Sequence, residues 1–120
     1  MSTETFQPTS FSQAAYLATR EWSHSESKGE QAIAEALRDY GKCLDNIVAK
    51  SADVAKGAAD IRDAVARGAD PIDWIASSAA EVAQLIARRR ALVEAIGHLC
   101  YALDVDADSL IAKVNQGYSL

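Results

Sequence analysis

Long stretches in which apolar residues recur every three or four positions alternate along this chain with short polar breaks. Phe11, Ala15, Ala18 and Trp22 fall on one face at helical spacing, and the polar run SHSESKGE ends that pattern. A second pattern carries Ile33, Leu37, Tyr40, Leu44, Ile47, Ser51, Val54, Ala58, Ile61 and Val65, in alternating steps of four and three. A third carries Ile72, Ile75, Ala79, Val82, Ile86, Arg89, Val93, Ile96, Cys100 and Leu103 in the same alternation. Heptads sustained over such lengths are the mark of coiled-coil packing.

Local signals punctuate these patterns. Ser10 with Gln13 and Ser27 with Glu30 have the spacing of a capping box. Arg67-Gly68 offers a basic last turn and a glycine suited to the left-handed position after a helix. Asp70 then serves as an N-cap with Pro71 in the first turn, and Asp73 lies near the positive end of the helix dipole. DVDADS breaks the third pattern and supplies Asp106 or Asp108 as the next cap. The prediction is a single α-helical domain over 1–120, with a flexible N-terminus at 1–9 and helices at 10–24, 28–67, 71–103 and 107–116.

Folding the chain back at Arg67 to Asp70 pairs the two long seams as an antiparallel hairpin. Val65 then faces Ile72, Ala58 faces Ala79, Leu44 faces Val93 and Ile33 faces Leu103. In this register Lys56 lies beside Glu81, Lys42 beside Glu94 and Asp45 near Arg90. Arg89 and Ser51 are the polar breaks, in adjacent layers. Three readings of Arg89 stand open: a stem packed on the seam with its head in water, a buried polar layer that fixes register, or a group that meets an anionic partner.

Two helices cannot cover each other completely. The third pattern has a second stripe, Leu85, Leu92 and Leu99. The second has small or apolar residues on both flanks, Ala34, Gly41, Val48 and Ala55 on one side and Ala36, Cys43, Gly57 and Ala64 on the other. Such flanks admit a further helix. The short terminal helices are too brief to cover the rod, so the expected solution is a homodimer in which two hairpins make a four-helix bundle. Leu85, Arg89, Leu92, Leu99, Gly41, Val48 and Ala55 are the candidate partner or dimer interface.

Composition narrows the functional classes. Of 120 residues 24 are alanine, against two prolines and six glycines, which favours helix throughout. A net charge of −5 argues against a nucleic-acid partner, since phosphate binding needs clustered cations. The one basic cluster, Arg88 to Arg90, spreads its charges around a helix. No apolar run approaches the ~20 residues of a membrane span, and MSTETFQPTSFSQ lacks the features of a secretory signal. Cys43 and Cys100 stand about six residues out of register, too far apart for a disulfide, and suit a reducing cytoplasm.

Candidate chemistry is sparse. Glu94 and His98 share a helix face, with Cys100 nearby and His24 at the same end of the hairpin, but a metal needs three or four ligands and no second Glu/His pair accompanies them. EAIGHLCYAL followed by DVDADSLIAKVN resembles the end of the MazG-like fold, all-α metal-dependent nucleotide pyrophosphatases. That resemblance implies magnesium carboxylates where this chain has Ala95 and His98, and the matching part of the second helix offers Lys50 and Asp53. The residues themselves point elsewhere. They predict a non-enzymatic protein-interaction module, such as a small adaptor, inhibitor or chaperone, with no cofactor, no catalytic residues and a protein partner.

Overall fold

The computed structural model describes residues 10–22, 25 and 27–116. Four α-helices follow one another: α1 (Phe11–Ala18), α2 (Lys28–Ala66), α3 (Ile72–Ala102) and α4 (Ala107–Asn115). The expected flexible N-terminus and His24 lie outside the described residues.

The helix ends form where the local chemistry asks for them. Ser10 and Ser27 accept from the amides of Gln13 and Glu30 at 3.1 and 3.3 Å. Asp106 accepts from Ser109 at 3.3 Å. After α2, Gly68 has φ +92°. The Gly68 and Ala69 amides turn back onto the Val65 and Ala64 carbonyls in a Schellman motif.

Two ends differ from expectation. α1 does not run on to residue 24. The buried Thr19 hydroxyl donates to the Ala15 carbonyl at 2.8 Å, and the chain tightens into a 3-10 turn at Arg20–Trp22. At α3 the cap position belongs to Pro71. Asp70 still serves the helix, accepting the Ile72 amide at 3.0 Å from one residue further out.

α2 and α3 lie against each other as an antiparallel hairpin, each an unbroken helix. α1 packs on α2 and on α4, and α4 also reaches α3, so four helices gather at the open end of the hairpin. The core sits there. Ala15, Ile33, Leu37, Tyr40, Leu44, Ile96, Cys100, Leu110 and Val114 are buried together. From about residue 48 to 90 the hairpin continues as two helices alone, an arm beyond the core. The radius of gyration, 18.4 Å, records this elongation against the ~13.6 Å of a compact chain of this length.

The register differs from the heptad pairing. Leu103 lies against Gly29, not Ile33, and Glu81 pairs with Lys50, not Lys56. The Cys43 thiol donates to the Leu85 carbonyl at 3.4 Å, and the Trp74 ring covers Gly57. Gly29, Cys43, Lys50 and Gly57 occupy one line along α2, spaced by sevens. This is the small-residue flank with Ala36 and Ala64. α3 sits on that flank because glycine and small side chains permit a closer approach than a line of Ile and Leu. Val65 and Ile72, the expected pair nearest the corner, are instead 49% and 65% exposed.

The two apolar lines therefore do not interdigitate as the heptads suggested. They lie side by side and form one face shared by both helices. At the open end that face is covered by α1 and α4, where Ile33, Leu37, Tyr40 and Leu44 meet Ile96, Cys100, Leu110 and Val114. Along the arm none of the described residues outside the hairpin covers the same face.

Candidate protein-binding face

The bare part of the face begins where α1 begins. Asp45, expected near Arg90, instead takes the amides of Phe11 and Ser12 at 2.8 and 2.9 Å and the Ser12 hydroxyl. It thus caps α1 from α2. This anchors the first turn of α1 at that level of the rod, and no described helix lies over the hairpin from there toward the corner. Gly41 lies directly beneath α1. A Cβ there would stand 2.6 Å from the Phe11 carbonyl oxygen, so Gly41 is occupied by the chain's own helix and is removed from the candidate interface.

Beyond Asp45, Val54, Trp74, Ile75, Ala79, Val82 and Ile86 line an open groove of about 470 Å³. Ile75 is 51% exposed, Trp74 37% and Ile86 36%. Ile75 and Ile86 belong to the heptad line of the sequence and Trp74 lies beside it, but none of the described elements covers them. Trp74 bridges the two helices by lying across Gly57, while Ser78, small and buried, lets α3 stay close to α2. The groove floor is therefore a pair of packed helices, not a loop. A cavity of about 350 Å³ between α1 and α4 is lined by Arg20, Glu21 and Lys113 as well as apolar residues and has no such continuous apolar surface.

The remaining candidate residues divide in two groups. Leu85, Leu92 and Leu99 are half-buried, and Leu92 and Leu99 pack against the core, so the leucine stripe is largely absorbed within the hairpin. Val48, Ala55 and Arg89 are exposed, Val48 by 41%. Ser51 is exposed too, and the reading of Arg89 and Ser51 as a buried polar layer is overturned. Arg89 is nevertheless close enough to Tyr40 and Cys43 to favour their ionised forms. Sequence reasoning missed Ile75, Val82 and Ile86 as groove-lining residues, with Trp74 beside them. The heptad spacing of the first three is the signal for burial, and nothing local shows that α1 stops short of them.

Burial pushes the Tyr40 hydroxyl and the Cys43 and Cys100 thiols above their ordinary values; Tyr40 donates to the Asn115 side chain of α4 at 2.7 Å. Both thiols are free. Glu94 and His98 are exposed, as is Asp53, and among the described residues no three His, Cys, Asp or Glu side chains gather as a metal site. Among the described residues no helix is long and apolar enough to cross a membrane. Comparison with protein-family models, with characterised proteins and with solved structures finds no match.

Proposed function

We propose that this chain is a non-enzymatic protein-interaction module, a cytoplasmic adaptor, inhibitor or chaperone in kind, which binds through the bare face of its two-helix arm. The observation that carries this reading is the groove along Val54, Ile75, Val82 and Ile86, an apolar strip on a helix pair that the described short helices leave open. Large apolar side chains clustered on a surface mark interaction sites, whereas scattered ones do not. The two halves of the molecule have separate tasks. The four-helix end holds the fold together, and the arm presents the surface. Free, buried thiols suit a reducing compartment, and the net charge of −5 suits a protein partner better than a polyanion.

The test is affinity capture from the native host with the wild-type chain and with Ile75→Glu/Ile86→Glu. Both residues are exposed, so the variant keeps its fold and melting temperature, and it loses the bound proteins. An identical set of bound proteins on both chains would contradict the reading.

A further inference from the structure

Resting on the reading of the arm as a binding surface, we infer that its occupant is an amphipathic helix of a different protein, apolar along one stripe and acidic on its flanks. The charges on the face carry this. Tyr40, Leu44, Ile96 and Cys100 mark the four lines that look into the core. Followed in sevens along the arm, these lines hold Ser51 and Arg89 and are otherwise apolar. The two lines that edge them, running from Gly41 and from Gly97, carry Arg62 and Arg90 and otherwise hold valine and alanine.

No carboxylate falls on this face. Asp53, Asp60, Asp63, Asp73 and Glu81 take the lines on the opposite side of the arm. The chain has 17 acidic residues against 12 basic, so a face whose only charges are three arginines reverses the balance of the whole. All three are exposed, and among the described residues none of them is in an ion pair. Arg89 lies near Tyr40 and Cys43, at the core end of the arm, with Arg90 beside it. Arg62 stands one turn from the end of α2, at the corner. From Cys43 to Arg62 is ~28 Å at 1.5 Å per residue. The strip is therefore apolar along its length and cationic at both ends, and its complement is apolar with acidic flanks. A second copy of the chain would bring arginines and no acid to the same contact. An anionic membrane would meet the same arginines, but the acids on the reverse of a rod about 10 Å thick stand within a Debye length of it.

Continuity argues for a helix. At the open end the same face is already covered by helices, α1 and α4. Each presents an apolar pair one turn apart, Phe11 with Ala15 and Leu110 with Val114, and these pack against the core lines. A partner helix along the arm carries that bundle on from where α1 begins. Recognition of this kind reads anchors at i, i+3, i+4 and i+7, and ~28 Å takes about 19 helical residues.

Selection from a displayed library of 18-residue peptides tests this. The peptides carry Leu, Ile or Val at 1, 4, 8, 11 and 15, with Glu, Lys or Gln at random elsewhere. On the wild-type chain, Glu-flanked peptides should be enriched about 10-fold or more over Lys-flanked ones. Arg62→Glu/Arg89→Glu/Arg90→Glu should reverse the preference, and Arg62→Gln/Arg89→Gln/Arg90→Gln should remove it while binding persists. All six substitutions fall on exposed positions, and melting temperatures check that each variant is folded. The selected Glu-flanked peptide should bind several-fold more weakly at 500 than at 50 mM NaCl. No enrichment, a preference for Lys, or a preference that survives the three-arginine reversal overturns the inference. So does a dimer of the 12.8 kDa chain at micromolar concentration that Ile75→Glu/Ile86→Glu dissociates, or binding to phosphatidylglycerol vesicles that the same variant loses. Host proteins lost by Ile75→Glu/Ile86→Glu without any preference for Glu-flanked peptides overturn the acidic helix and leave the binding face standing. Host proteins retained by that variant overturn the reading of the face itself.

Discussion

Asp104 holds φ +57° at the end of α3, in the left-handed region that side chains other than glycine enter at a cost. The Val105 amide returns to the Cys100 carbonyl at 2.8 Å, and Asp104 closes the same Schellman turn onto Tyr101. The aspartate also puts a negative charge at the negative end of the helix dipole. Asp104→Gly should therefore stabilise the fold by about 1 kcal/mol, with Asp104→Ala showing no such gain. Thermal melts of the three chains check this. The buried acids make a second prediction. The folded pKa values of Cys43, Cys100 and Tyr40 lie above their ordinary values of 9.0, 9.0 and 10.0, chiefly through desolvation. Below pH 9 these groups keep their protons in both states and their contribution is intact. As pH rises further the unfolded chain releases its protons first, and stability falls. The melting temperature should be flat up to about pH 8.5 and decline above it, less steeply in Cys43→Ala/Cys100→Ala. The native thiols should also resist alkylation at neutral pH.

At the scale of elements, α1 is held by two devices from α2, the Asp45 carboxylate over its first amides and the close approach at Gly41. Asp45→Ala removes the cap and should cost about 1–2 kcal/mol, with α1 amides exchanging faster while the α2·α3 hairpin keeps its protection. Equal loss of protection in α1 and in the arm would refute this division. Helix limits were legible in the sequence because Ser10, Ser27, Gly68 and Asp106 act within a few residues of themselves. The side of α2 that receives α3 was not. Two lines run along α2 at the same period, one of Ile, Leu and Tyr, the other of Gly, Ala and Cys, and hydrophobicity favours the first as the hairpin seam. The structure uses the second, because a line of small residues lets a long neighbour lie close and frees the large residues for the core under α1 and α4. Asp45 was equally hidden, since a cap supplied across 34 positions leaves no local trace.

At the scale of the molecule, the chain divides a continuous apolar face between two uses. One half is sealed by its own short helices and stores the stability of the fold. The other is offered outward. All-α architecture and the hairpin could be read from period and punctuation. The division of the face could not, because it depends on where α1 is anchored. An exposed helix pair with little beneath it should open readily when alone and gain protection when covered.

Hydrogen–deuterium exchange of the wild-type chain tests this most directly. The account predicts slow exchange at 33–47 and 92–101, and exchange at 54–65 and 74–88 at least several-fold faster. Arm amides protected as strongly as those at 33–47 and 92–101 would contradict it.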